Sequence, residues 1–287
     1  MKIGLSTYSF FQALNKKEMN VLEVIDWIAE NGGEHVEIVP IGYTLSDNPE
    51  LVDQIRERAA KVGIDVSNYA IGANFIQDSD AAYEAEIERV KGEVEIANRL
   101  GVKFMRHDVA WRPIPEATLD QFEQDLPRIA DACRRIADHA KQYGITTSVE
   151  NHGYFVQASD RVLRLVKAVD RDNFRTTLDV GNFMCADEQS PVSVQKNLPY
   201  ASVVHLKDFY LRPSYRNPGD GWFQTAGGNF LRGAIVGHGD IDMWEVIRLV
   251  KQSGYDGYIS IEFEGMEDCR AGSKIGMDNA RRIWDAV

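Results

Sequence analysis

The sequence predicts an α/β protein, a (β/α)8 TIM barrel, and three observations predict it. Strand-like and helix-like segments alternate along the whole chain. The helix-like segments close on glycine, at Gly32-Gly33, Gly63, Gly101 and Gly144. The 287 residues are somewhat more than one eight-fold strand/helix barrel needs. An open doubly wound sheet is the competing arrangement, but no GxGxxG follows the first strand. The expectation is one domain over 1–287.

Taken in order, Lys2–Ser6 reads as a strand. Val21, Leu22, Val24, Ile25 and Ile28 recur at helical spacing and predict a helix over Val21–Asn31. His35–Ile38 is a short strand, Pro49–Lys61 a helix, Ile64–Tyr69 a strand and Asp80–Leu100 a long charged helix. Val102–Arg106 is the fourth strand, Leu119–Tyr143 a long helix and Ile145–Glu150 the fifth strand. Asp160–Val169 reads as a helix capped by Ser159 or Asp160. Phe174–Asp179 is the sixth strand, 192–198 a weak helix, and Ala201–Leu206 the seventh strand. Met243–Gln252 is a helix, Tyr258–Ile261 the eighth strand, and Gly276–Ala286 the closing helix.

One segment breaks the rhythm. Residues 209–240 far exceed the usual connection length and hold seven glycines, the aromatics Tyr210, Tyr215, Trp222 and Phe223, and the bases Arg212, Arg216 and Arg232. This long loop follows the seventh strand, so it is expected over the C-terminal mouth as a lid or substrate-binding loop. A subunit contact is the competing use, which leaves room for a homo-oligomer.

Bulk properties exclude several classes of function. The net charge of −12 repels polyanions and argues against nucleic acid as a partner. No segment approaches the ~20 apolar residues of a membrane span, and the opening MKIGLSTYSF is too short and polar for a signal peptide. Cys133, Cys185 and Cys269 are odd in number and form no CxxC, so they are expected as reduced thiols in a cytoplasmic protein.

The chemistry lies in four strand ends. ITTSVE ends at Glu150, FRTTLD at Asp179, ASVVH at His205 and YISIE at Glu262. The first three are 29 and 26 residues apart, about one strand-plus-helix unit, and the last interval of 57 residues contains the long loop. Alternate side chains of a barrel strand point inward, so all four share the inward phase at the end where barrel enzymes place their chemistry. Three carboxylates and an imidazole make a hard, oxygen-rich site for one divalent cation, Mn²⁺ before Mg²⁺, Co²⁺ or Zn²⁺. Glu264 shares the face of Glu262, and spacing alone leaves either as the ligand. Glu37, Asn68, Arg106, His107, His152, Asn182 and Lys207 also stand at strand ends, positioned to hydrogen-bond substrate hydroxyls.

The motifs SVENHG, LDVGN, HLKD, GHGDID and SIEFEG together resemble the xylose isomerase-like TIM-barrel superfamily, over the whole chain and most strongly from Glu150 onward. The resemblance implies a metal-dependent isomerase or epimerase of a sugar, sugar phosphate or keto compound. It assigns Glu150, Asp179, His205 and Glu262 to one divalent cation and gives Glu150 and Glu262 a second task as acid and base. Glu264 then stands behind Glu262, holding a base near the mouth. Ketose 3-epimerases have HxSECDR after the seventh strand; here HLKDFYLR puts Lys207 in that context and moves Arg212, the counterpart of their substrate-binding arginine, by one position. The competing reading is a lyase or hydrolase on the same scaffold, dehydroshikimate dehydratase-like or 3-keto-glycoside-cleaving. Either way the expected partner is a small carbohydrate or keto acid.

Overall fold

The computed structural model describes residues 1–287. The first half runs β1 (Lys2–Ser6), α1 (Phe11–Asn15), α2 (Val21–Glu30), β2 (His35–Ile38), α3 (Pro49–Val62), β3 (Asp65–Ile71), α4 (Asp80–Leu100), β4 (Phe104–His107), α5 (Leu119–Lys141) and β5 (Thr146–Glu150). The second half runs α6 (Ser159–Val169), β6 (Phe174–Asp179), α7 (Ser190–Asn197), β7 (Ala201–Leu206), β8 (Asp208–Arg212), β9 (Phe223–Gln224), β10 (Phe230–Ala234), α8 (Met243–Gln252), β11 (Tyr258–Ile261) and α9 (Cys269–Ala286). Strands β1 to β7 pair in sequence order and β11 closes the ring between β7 and β1, every pair parallel. The expected (β/α)8 barrel is therefore what the chain forms. No helix is long and apolar enough to cross a membrane.

Strand alternation builds the two layers. Ile3, Leu5, Val36, Ile38, Leu178, Val204, Leu206, Ile259 and Ile261 lie on the outward phase and belong to the buried apolar core beneath the helices. The inward phase is polar at both ends. His35 lies inside the barrel, its Nδ1 2.8 Å from Ser67 Oγ and its Nε2 3.0 Å from the Ile259 carbonyl. Gly4 is required beside it, because a Cβ there would stand 2.0 Å from the His35 carbonyl oxygen. Glycines Gly63 and Gly101 end α3 and α4 in the left-handed conformation, at φ 79° and 81°.

Three local readings are corrected. The closing helix starts at Cys269, seven residues before Gly276, capped by the Asp268 side chain on the Ala271 N–H. Its first turns are polar and small because Gly272 packs against the Phe263 ring, where a Cβ would stand 2.5 Å away; the apolar period is therefore silent there. Helix α6 takes neither Ser159 nor Asp160 as its cap. Instead the Glu188 carboxylate accepts the Ser159 N–H at 2.9 Å. The long segment is not an irregular loop: β8, β10 and β9 form an antiparallel ribbon pairing Phe230 with Arg212 and Ala234 with Asp208. The ribbon contacts the loops after β5, β6 and β11. Tyr154 Oη donates to the Gln224 carbonyl, the Asp187 carboxylate accepts from Thr225, Gly227 and Asn229, and Gly233 bridges Gly265.

Asp208 locks the base of that ribbon. One carboxylate oxygen accepts the N–H groups of Phe209 and Ile241, and the other those of Gly237 and Gly239. The side chain is buried. Asparagine would set its NH₂ against two N–H donors that have no other acceptor. Asp208→Asn is therefore expected to cost about 2–4 kcal/mol, more than an isosteric change suggests, read as a lower urea midpoint. A midpoint within error of the parent would show that the four donors find other partners.

Candidate active site

The four strand ends meet at one point. Ligand atoms of Glu150, Asp179, His205 and Glu262 all lie within 4.8 Å of one another, and all four residues are buried. Strand register accounts for the meeting: Asp179 stands beside His205, and His205 beside Ser260, one pleat before Glu262.

Each member is aimed by its own support. Asp179 Oδ1 accepts the N–H groups of Gly181 and Asn182 at 2.8 Å, so Oδ2 points to the cluster. Asn151 clasps the Asp179 backbone from both sides, donating to its carbonyl at 2.8 Å and accepting its N–H at 3.0 Å. His205 Nε2 lies 2.8 Å from Glu37 Oε2, and a carboxylate can only accept, so Nε2 carries the proton there. Asn68 holds Glu37 in turn, at 2.8 Å. His205 Nδ1 then faces Glu150 Oε1 at 3.8 Å and Asp179 Oδ2 at 3.9 Å. Neither Nδ1 nor Asp179 Oδ2 has a hydrogen bond, although both are buried. Two buried polar atoms without hydrogen bonds, converging with two further carboxylates, fit a divalent cation. The Glu37–His205 contact is the outer support such a ligand needs.

The two glutamates have unlike surroundings. Arg106 Nε and Nη2 both donate to Glu150 Oε2, and Asn182 Nδ2 donates to Oε1 at 3.1 Å. Burial alone would raise the Glu150 carboxyl, but Arg106 and His205 hold it well below the usual carboxylate range. Glu262 has only a share of a cation. Lys207 Nζ stands 2.5 Å from its Oε2 but also 3.3 Å from Asp179 Oδ2 and 3.5 Å from Glu264 Oε1. Burial pushes Glu262 up to about 7, with Lys207 pulling the other way. The environment thus separates two carboxyls of one type, one held ionised and one close to neutrality.

The remaining sequence-derived residues divide. Glu37, Asn68, Asn182 and Lys207 surround the quartet, and their polar atoms are mostly engaged in positioning it. Glu264 Oε1 lies 3.5 Å from Lys207 Nζ. His152 sits at the rim, half-exposed, with Nδ1 3.4 Å from Asp108 Oδ1. Two residues are elsewhere. Arg106 points inward, so His107 points outward: it packs against Phe75 and bonds the Asp108 carbonyl at 2.9 Å. Arg212 lies on the ribbon, over the Trp222 ring and 3.4 Å from Asp240, not at the quartet. Asn151 and Asp108 were missed, although each directly follows or neighbours a strand end already singled out.

His107 instead bears on stability. Burial holds it down to about 4, and does the same to His35. Unfolded histidine titrates near 6.5, so the unfolded chain binds more protons between about pH 6.5 and 4. Stability contributed by each neutral ring is complete above 6.5 and is lost as pH falls through that window, by roughly 3 kcal/mol each at most. His107→Leu is expected to flatten the fall of thermal midpoint between pH 6.5 and 4.5. An unchanged slope would sink the assignment.

The family model of the xylose isomerase-like TIM barrel matches residues 25–283. The chain belongs to that family. Among its curated relatives, an inosose dehydratase of Lacticaseibacillus casei is 26% identical over 151 residues, spanning 52% of this chain and 49% of that enzyme. The chain thus matches about half the length of that relative. An inosose isomerase of Halalkalibacterium halodurans is 22% identical over 264 residues, covering 88% of this chain and 85% of that one. Among solved structures, the 3-keto-D-glucoside 4-epimerase YcjR of E. coli superposes with a TM-score of 0.75 at 17% identity, covering 98% and 99% of the two chains. At that identity the likeness speaks for the fold. This xylose isomerase-like barrel thus has enzymes of more than one reaction type among its relatives.

Proposed function

We propose that this chain is a divalent-metal-dependent isomerase or epimerase of a sugar-like keto compound, working by proton abstraction beside the carbonyl. The observation supporting it is the pair of buried glutamates with opposite shifts, converging on two buried ligand atoms that lack hydrogen bonds. Glu150, Asp179, His205 and Glu262 would hold the cation, with Mn²⁺ leading on the donor set. Such a cation, when bound, polarises a carbonyl and its neighbouring hydroxyl and so acidifies the C–H between them.

The protein's own groups supply the rest. Glu150, held ionised by Arg106, accepts the proton from carbon on its side. Glu262, on the other side, returns one. Lys207 bridges Glu262 and Asp179 and offsets their repulsion, and Asn182 donates its amide to Glu150 and its backbone N–H to Asp179. Three cysteines without a disulfide agree with a cytoplasmic setting.

A dehydratase is the second reading, favoured by the likeness to the inosose dehydratase. It shares the abstraction step and differs in losing a β-hydroxyl afterwards. Incubation of the Mn²⁺-loaded chain with ketoses and inosose in D₂O is expected to give deuterium at the carbon beside the carbonyl, with the dry mass of the skeleton kept. Loss of one water from the product would move the assignment to the dehydratase, and no exchange across the panel would sink both.

A further inference from the structure

We infer that the substrate of this site is an uncharged polyhydroxy ketone, and that phosphorylated sugars and keto acids are excluded. The inference rests on the enolising reading above and narrows it. Three features of the mouth point the same way.

The first is the balance of fixed charge. Glu37, Asp108, Glu150, Asp179, Glu262 and Glu264 supply six carboxylates around the quartet. Two permanently cationic side chains reach them, and both are spent. Arg106 is divided between Glu150 and Asp108, and Lys207 among Glu262, Asp179 and Glu264. A divalent cation in the quartet still leaves the carboxylates in excess. An anionic group brought beside the quartet would meet like charge in a largely buried setting, where Arg106 and Lys207 are already paired with acids of the chain.

The second is the backbone. In barrels of this architecture, phosphate is frequently held by N–H groups of the loops after the last two barrel strands and by a helix N-terminus. Here the donors after β7 face the chain's own acid Asp208. Phe209, Gly237, Gly239 and Ile241, all in the connection after β7, give their N–H groups to Asp208. The N-termini of α8 and α9 are capped by Asp242, on the Glu245 N–H, and Asp268, on the Ala271 N–H, each at 3.0 Å. The donors at the base of the ribbon, and one donor at each of these two helix N-termini, are thus taken by carboxylates that belong to the fold.

The third is Arg212, the ribbon arginine one position away from that of the ketose 3-epimerase pattern. It turns to Asp240 and the Trp222 ring instead. What the mouth does offer is acceptors. Hydroxyl groups donate to carboxylates without adding charge, and Glu264 and Asp108 are both partly exposed at its edge. A neutral ketose, keto-cyclitol or keto-glycoside satisfies these acceptors. A phosphate or carboxylate does not.

The test uses matched pairs at saturating Mn²⁺ with the full chain: D-fructose against D-fructose 6-phosphate, and dihydroxyacetone against its phosphate, with pyruvate as the acid. Deuterium wash-in from D₂O and thermal shift are measured for each. Exchange into the neutral members, with kcat/KM about 100-fold or more above their phosphates and above pyruvate, is the expected result. A phosphate or pyruvate handled as well as the neutral compounds overturns the inference. Where no compound exchanges, the enolising reading falls separately and thermal shift decides the charge preference alone. Greater stabilisation by the neutral member of each pair upholds the inference, and the absence of that preference overturns it. Glu264→Lys, which adds a base at the edge, is expected to narrow the discrimination by about tenfold; a discrimination that stays unchanged in this variant counts against charge as its cause.

Discussion

Glu150→Gln and Glu262→Gln are each expected to reduce net conversion about a thousand-fold, within the range general acid or base groups contribute. The two variants should fail differently. Glutamine at 150 removes the carboxylate that receives the proton, so both deuterium exchange and conversion are lost. Glutamine at 262 removes the group that returns a proton on the other side. Exchange at the first carbon can then persist while conversion stops. Their stability costs differ as well. Arg106 is nearly enclosed and gives both Nε and Nη2 to Glu150, and its other acidic partner, Asp108, stands 3.6 Å away. Glu150→Gln thus leaves a buried guanidinium short of charge, at a cost of roughly 2–4 kcal/mol. Lys207 retains Asp179 and Glu264 when Glu262 is changed, so that variant is expected to unfold close to the parent. The measurement is exchange and product formation at saturating Mn²⁺, with circular dichroism melts alongside. Full activity in either variant would remove that residue from the acid/base pair.

The fold was legible because each barrel strand advertises its outward face. Ile3, Val36, Leu178, Val204 and Ile259 are apolar at every second position, and left-handed glycines mark the ends of α3 and α4. The quartet was legible for the related reason that polar residues on the inward phase cluster at strand ends. What escaped was structure without an apolar period. The ribbon is held by Asp208 and Asp187 gripping backbone N–H groups, and no periodicity encodes that. The first turns of α9 pack through Gly272 against Phe263, by the absence of a side chain. His107 failed as a contact residue on a matter of phase: it adjoins Arg106, and neighbours on a strand face opposite sides. Strand ends suggest where a site lies, but the direction of each side chain selects its members.

Asp179→Asn and His205→Ala are expected to lower Mn²⁺ affinity most, by more than the ten- to hundred-fold typical of residues that only support a ligand. The asparagine variant is the sharper of the two. Gly181 and Asn182 present two N–H groups to Oδ1, so an amide at 179 will keep its carbonyl oxygen there. Its NH₂ then turns toward Glu150, Glu262 and His205, placing donors where the quartet offers only acceptors. Charge is lost and geometry reversed in one step. His205→Ala removes the imidazole and also strands Glu37, whose Oε2 keeps only Asn68. Glu37→Gln isolates the support alone. Its amide can still meet Nε2 through the oxygen, and the expected loss is the ten- to hundred-fold of an outer contact. Metal content after dialysis and calorimetric titration of Mn²⁺ give the order: both ligand variants below Glu37→Gln, and that variant below the parent. Parental metal content in both Asp179→Asn and His205→Ala would place the cation elsewhere. Loss in Glu37→Gln equal to that in His205→Ala would mean that Glu37 itself is a ligand, through the Oε1 atom that lacks any hydrogen bond in the protein.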